Sequence, residues 1–142
     1  MGKPSPWELW TLHFEMTMGV MAEVEPEVRA QGIEMKEFFL LGKLDDHPYP
    51  ADLARALLMP KPTITFMVKR LEAAGFVKRQ TEADDLRRFR LTLTPSGRKA
   101  MEAARKILDE AFGRRLARLS TGERAELTRI LVLLAEKHAR TR

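Results

Sequence analysis

Residues 60–75 read PKPTITFMVKRLEAAG, and their spacing decides how the rest of the chain is read. Taken as a helix, Ile64, Met67, Val68 and Leu71 fall at i, i+3, i+4 and i+7 and make one apolar face. The opposite face carries Pro62, Phe66, Lys69 and Arg70, flanked by Thr63 and Thr65. Such a helix is buried on one side and presents a cationic, mixed surface on the other. Gly75 stands where the helix would stop, because glycine closes a helix in the left-handed conformation without strain.

The flanks extend this pattern. After Gly75, residues 76–80 and 88–93 read as two strands. In the second, Phe89, Leu91 and Leu93 alternate with Arg88, Arg90 and Thr92, the period-2 pattern of a half-buried strand. Between them TEADDLR, residues 81–87, is long enough to let a hairpin project. Before Pro60, a helix is predicted from Pro50 to Leu58, with Leu53, Ala54 and Leu57 facing inward, and Met59-Pro60 as the connection. Residues 45–50, DDHPYP, form a turn cluster. Residues 34–44 form a short core helix with Met35, Phe38, Phe39, Leu40, Leu41 and Leu44. Two helices joined by a tight turn, followed by a basic hairpin, have the order of a winged helix-turn-helix.

The two ends read as long helices. Residues 5–30 start with Ser5 as a cap and Pro6 in the first turn. One apolar stripe is Trp7, Trp10, Phe14, Met18 and Met21, and a second, on the opposite side, is Leu9, Leu12, Met16 and Val20. A helix apolar on two faces must be covered twice, and in a chain this small the second cover is most simply another subunit. Pro26 predicts a kink or an end near Glu25, and Gly32 breaks the chain. Thr94-Pro95 starts a helix that runs to about Leu119 and buries Met101, Ala104, Leu108, Ala111, Phe112 and Leu116. Gly113 interrupts it at a cost of about 1 kcal/mol relative to Ala. Ser120 to Glu123 is a capping box that opens a last helix with Leu127, Ile130, Leu131 and Leu134. The predicted fold class is mainly α with a small β-hairpin wing (α+β), in one domain over residues 1–142. Residues 5–30 and 95–140 would supply dimerisation helices, and residues 34–93 the winged helix-turn-helix lobe.

At 142 residues the chain fits one domain. The balance of 25 Lys plus Arg against 20 Asp plus Glu gives a net charge of +5, which favours a polyanionic partner. The chain has no cysteine, so thiol switches, disulfides and Cys-ligated metal sites are excluded. No apolar run approaches the roughly 18 residues of a membrane span, and the start lacks the apolar region of a signal peptide. A cytoplasmic location is expected, with no membrane partner. His13, His47 and His138 lie far apart without metal-ligand spacing, so neither a metal nor a cofactor is expected. No nucleophile–base set or phosphate loop is present, which argues against an enzyme.

Nucleic-acid affinity needs cations set against phosphates. The hairpin carries Lys78, Arg79, Arg87, Arg88 and Arg90, and the preceding helix carries Lys61, Lys69 and Arg70. Pro62, Thr63, Thr65 and Phe66 lie between them: hydroxyls reach phosphates or base edges, and an apolar ring can lie on a thymine methyl. A lone charged helix is more often a solvated face, but here the basic helix and hairpin are adjacent and ordered to meet one duplex. Arg87 at the hairpin tip suits a minor groove, with Asp85 holding its guanidinium. An exposed ion pair of little weight reads equally well from the spacing. Trp10, His13, Phe14 and Phe38 form a candidate pocket for an aromatic acid, and dimer core is the simpler reading of the same residues.

Residues 51–97 resemble the MarR family of winged helix-turn-helix repressors. The resemblance rests on DLARAL, TITFMVKRLEAAGFVKR and DDLRRFRLTLTPSG, the last close to the family's Asp-x-Arg wing tip with its basic strand and Leu-Thr-x-x-Gly. It implies a homodimer built from the N- and C-terminal helices, a recognition helix in each major groove, and a wing in each minor groove with Arg87 as the tip residue. It also implies effectors bound between the dimer helices and the DNA-binding lobe. Family members usually cap the recognition helix with Ser or a similar residue, where this chain has Pro60. The expected function is a cytoplasmic homodimeric repressor of a pseudo-palindromic operator in double-stranded DNA, relieved by a small aromatic effector. The rivals are a regulator without an effector and a ligand-binding or protein-interaction module on the same fold that does not bind an operator.

Overall fold

The computed structural model describes residues 2–85 and 87–136. Among these residues six helices and one hairpin follow in the order α1 (Pro6–Arg29), α2 (Met35–Lys43), α3 (Pro50–Leu57), α4 (Lys61–Ala73), β1 (Val77–Thr81), β2 (Phe89–Leu93), α5 (Pro95–Leu116) and α6 (Thr121–Ala135). The mainly helical fold with a two-stranded wing agrees with the sequence reading. His138 lies outside the described residues.

The predicted caps form. The Ser5 hydroxyl accepts the Glu8 N–H, while the Glu8 carboxylate accepts the Ser5 N–H at 2.7 Å. Ser120 and Glu123 repeat this box at α6. Thr94 accepts the Gly97 N–H at 3.0 Å and also donates to the Gly75 carbonyl at 2.6 Å, so one hydroxyl ties the start of α5 to the end of α4.

Pro26 does not end α1. The helix runs through it to Arg29, and the Ala30 N–H reaches the Pro26 carbonyl at 3.1 Å. Proline removes one backbone bond in this last stretch, but Val24 and Val28 are almost fully buried on either side of it. Continuing the helix keeps both in the core, and that burial outweighs the lost bond. The turn comes at Gly32, with φ +86°.

The core is built from Val20, Val24 and Val28 of α1, the apolar faces of α2 and α4, Leu53, Val77, Leu91, and Ala100, Ala104 and Ala111 of α5. Ile64, Met67, Val68 and Leu71 are all buried, as their spacing predicts. In α5 the large residues Met101, Leu108, Phe112 and Leu116 are half-buried, and the alanines make the close contacts. Glu23 bridges α1 to α5 by accepting from both Arg114 and Arg115.

Neither apolar stripe of α1 is covered along its N-terminal part. Trp7, Leu9, Trp10, Leu12, Phe14, Met16 and Met18 are exposed, and burial starts only at Val20. In α6 no residue is buried, and Ile130, Leu131, Val132, Leu133 and Leu134 are exposed. Among the described residues no helix is long and apolar enough to cross a membrane.

Candidate nucleic-acid interface

The start of α4 is set by its two prolines. Pro60 occupies the cap position with extended backbone and makes no side-chain cap. Of the four N–H groups that a helix start leaves without partners, Pro60 and Pro62 carry none, and Thr63 donates to the Pro60 carbonyl at 3.0 Å. Little is left for a serine to cap. Leu58, in the turn from α3, takes φ +54°, and Met59 donates back to Ala54 at 3.0 Å.

Above this start, Lys61, Pro62, Thr65, Phe66 and Lys69 are exposed and Thr63 is half-buried. The Thr65 hydroxyl donates to the Lys61 carbonyl at 3.1 Å and keeps its acceptor capacity free. Arg70 is different. Its guanidinium donates to both oxygens of Glu37 on α2 and to the Gly32 carbonyl at 3.1 Å. Glu37 is 2% exposed, the one buried charged residue among those described. The Glu37 hydrogen bonds hold the Arg70 pKa above the ordinary arginine value. Arg70 therefore braces the helix from behind instead of standing with the free cations.

The wing pairs in antiparallel register from Val77 opposite Leu93 to Thr81 opposite Phe89. Lys78, Gln80, Arg90 and Thr92 consequently share one face, and Arg79 joins Phe89 and Leu91 on the other. Arg79 forms a fork of two 3.0 Å bonds with Glu72 of α4 and lies 4.1 Å over the Phe89 ring. Arg88 lies 4.4 Å over the Tyr49 ring. The Tyr49 hydroxyl donates to Glu82 at 2.7 Å, a bond that pushes the phenol pKa above the usual tyrosine value. The Leu91 N–H donates to the Pro48 carbonyl at 2.8 Å, so the turn before α3 is stitched to the wing. At the tip, Asp85 accepts the Arg87 N–H at 3.0 Å and lies 3.5 Å from its Nε, while the Arg87 side chain is 94% exposed. Asp85 orders the turn backbone more than it restrains the guanidinium.

These elements enclose a groove of about 470 Å³ between α3, α4 and the wing, whose walls include Lys61, Thr65, Lys69, Arg79, Arg87 and Arg88. Six predicted DNA-binding residues therefore meet in one concavity. Pro62 and Phe66 stand beside it on the crest of α4, with Lys61, Thr65 and Lys69. Asp85 and Arg90 are on the wing outside the groove walls, and Arg70 is on the far side of α4. Sequence reading missed Tyr49 and Arg55, which also line the groove. Arg55 pairs with Asp52 one turn earlier, a spacing legible in the sequence. Tyr49 lay in a turn cluster and gave no signal.

The predicted pocket of Trp10, His13, Phe14 and Phe38 does not form as one wall. Trp10 and Phe14 are on the uncovered half of α1, where Trp10 meets His13 edge-on at 4.7 Å. Phe38 is 7% exposed and points into the core, against Phe39. α2 must turn its aromatic face inward to close the lobe, which separates it from the outer side of α1. A cleft of about 540 Å³ opens instead between α1, α2 and α4, lined by Met18, Met21, Met35 and Met67 with Lys36, Glu37, Phe66 and Arg70. Among the described residues no three His, Asp or Glu side chains gather as metal ligands.

The MarR family model matches residues 33–89, the whole stretch from α2 to the start of β2. The chain is 32% identical over 118 residues to the HTH-type transcriptional repressor Rv2887 of Mycobacterium tuberculosis, covering 79% of this chain and 85% of that protein. It superposes on MepR, a transcription regulator of the Staphylococcus aureus multidrug efflux pump MepA, with a TM-score of 0.71 and 27% identity over 87% of this chain and 96% of the other. The fold also matches that of the S. aureus MepR–DNA complex, with a TM-score of 0.76 and 24% identity over 93% of this chain and 97% of the other. With its recognition helix, wing and flanking helices all in their expected order, the chain belongs to the MarR family of DNA-binding transcriptional regulators.

Proposed function

We propose that this protein is a cytoplasmic homodimeric repressor that binds a pseudo-palindromic operator in double-stranded DNA. The observation that carries the reading is the groove where Lys61 and Lys69 of α4 face Arg87 and Arg88 of the wing. One concave cationic surface between a helix and a hairpin suits a duplex, with α4 in the major groove and the wing at the adjacent minor groove. The name of the relative Rv2887, a repressor, supports the sign of regulation.

Residues 1–142 act as one domain in this reading, with residues 34–93 as the DNA lobe. Residues 5–30 and 95–140 make the dimer, because the uncovered faces of α1 and α6 are large and apolar. Lys61, Pro62, Thr63, Thr65, Phe66 and Lys69 meet the major groove, while Arg79, Arg87, Arg88 and Arg90, with Asp85 ordering the tip, serve the wing. The two half-sites are centred about one helical turn apart, roughly 34–36 Å. The effector is a small aromatic compound, and its seat is the Met-lined cleft behind α4, not the row Trp10, His13 and Phe14.

The test selects duplexes from a random pool with the full-length protein, then measures affinity as salt is varied. About eight phosphate contacts per dimer give a log–log slope near −7. Affinity that does not change with salt, or no duplex affinity at low salt, overturns the reading. Calorimetry with aromatic carboxylates, alone and on the DNA complex, tests the effector: binding without release from DNA leaves a regulator that has no such effector.

A further inference from the structure

We propose that Phe66 is a base-reading residue and that it reads the C5-methyl group of a thymine in the major groove. This rests on α4 being the recognition helix, as proposed above.

Among the described residues, the exposed large apolar side chains fall into separate sets. Seven are on α1 and five on α6, the faces assigned to the second copy. Leu58 and Phe66 alone lie elsewhere. Leu58 belongs to the turn, whereas Phe66 is in the middle of α4 and 71% exposed. Its direction follows from the buried set. Ile64, Met67, Val68 and Leu71 define the inner face, and at about 100° per residue the opposite crest is formed by Pro62, Phe66 and Lys69.

The surroundings indicate what meets the ring. Lys61 and Lys69 share its outer surface with Pro62 and Thr65. These ammonium groups suit phosphates and would be desolvated at cost under an apolar protein partner. On its other side Phe66 edges the cleft that holds Met67 and Met18. The ring is thus open in front, with the cleft on its other side. A phenyl group has no donor or acceptor, so it cannot hydrogen-bond a base edge. Purine edges and the cytosine amino group would lose hydration against it. Thymine alone offers a methyl group in the major groove. Pro62, one turn earlier and without an N–H, extends the same apolar strip toward the end of the helix that lies deepest in the groove.

The experiment uses the full-length protein and the operator recovered by selection. Each thymine is replaced singly by deoxyuridine, which removes the methyl group and keeps the pairing. The expected result is one sensitive thymine in each half-site, with about a fourfold loss of affinity per methyl removed and about fifteenfold when both are replaced. Phe66→Ala should bind the unmodified operator more weakly, keep the salt slope, and lose the deoxyuridine effect at those positions. Phe66→Leu should keep part of it. An operator bound tightly with no deoxyuridine-sensitive thymine overturns the proposal, as does a sensitivity that Phe66→Ala leaves intact. A protein that selects no duplex at all overturns the DNA reading together with this one, so the two failures are distinguishable.

Discussion

The guanidinium of Arg70 on α4 is clasped by the carboxylate of Glu37, a residue 33 positions earlier and almost fully buried. The two ends of this pair are unequal, because the Arg70 side chain is 40% exposed and the Glu37 side chain only 3%. Removing the arginine strands a buried charge, whereas neutralising the acid leaves a cation that water can reach. Arg70→Ala should therefore destabilise the fold by about 3 kcal/mol. Glu37→Gln, whose amide oxygen can still accept the Glu34 N–H, should cost about 1 kcal/mol. Urea denaturation at fixed protein concentration checks the ordering; equal losses would contradict it.

Tyr49 is the single tyrosine of the chain, so its ionisation can be followed by absorbance without interference from another phenol. Donation to Glu82 favours the neutral phenol and raises its pKa in the folded state. A group raised in this way contributes stability that is complete below the unfolded pKa, near 10, and is lost as pH rises through the folded value. The spectrophotometric midpoint of the native protein should lie above that of the urea-unfolded chain, and Glu82→Gln should lower it. A native midpoint equal to the unfolded one would remove the hydrogen bond from the account of the wing.

Much of this fold was legible because its signals are local. The apolar face of α4, the alternation in β2, and the Ser5, Thr94 and Ser120 starts each depend on neighbours within a few residues. The site was legible as a region and less so as a set of roles. Arg70 and Arg79 count as free cations along the chain, but Glu37 and Glu72 claim them only once α2, α4 and β1 are packed. Tyr49 became part of the wing through contacts with Glu82 and Arg88, both more than 30 residues away. Pro26 does not end the helix because a local rule about proline was set against burial of Val24 and Val28, and burial was the larger effect. Phe38 parted from Trp10, His13 and Phe14 for a related reason: sequence shows that Phe38 is apolar but not which of two cores it enters.

Leu58 takes a left-handed backbone with its side chain 91% exposed. That conformation costs a non-glycine residue about 1–2 kcal/mol, and the exposed side chain recovers little by packing. Leu58→Gly should raise stability by about 0.5–1 kcal/mol after the entropy of an added glycine is subtracted. Calorimetry at matched protein concentration would show an increase of a few degrees in Tm. An unchanged or lower Tm would mean that Leu58 is held by contacts beyond one chain.

Gly97 lies in the first turn of α5, where helix propensity alone favours alanine by about 1 kcal/mol. The prediction is the reverse. A Cβ at Gly97 would lie 1.9 Å from the Phe76 carbonyl oxygen, which accepts the Thr94 N–H at 3.1 Å. The backbone would have to separate there, pulling the start of α5 from the base of the wing. Gly97→Ala should destabilise by about 2 kcal/mol or more and speed amide exchange at Thr94. A stabilised variant would show that this approach is looser than the geometry indicates.

Arg87, 94% exposed at the wing tip, should contribute to DNA binding and hardly at all to stability. Its exposed pair with Asp85 is of the kind worth about 0–1 kcal/mol, so Arg87→Ala should melt within a degree or two of the parent. In DNA binding the proposed dimer loses two cations. If each displaces about 0.9 counterion, the log–log salt slope should become shallower by about 1.8. The same arithmetic gives roughly thirtyfold weaker binding at 0.15 M salt, and a ratio that grows about sevenfold further when salt is lowered to 0.05 M. Titrations at several salt concentrations on one operator distinguish this from a loss of shape. A variant weakened equally at all salt concentrations would place Arg87 outside the electrostatic contact, and one with parent affinity would remove it from the interface.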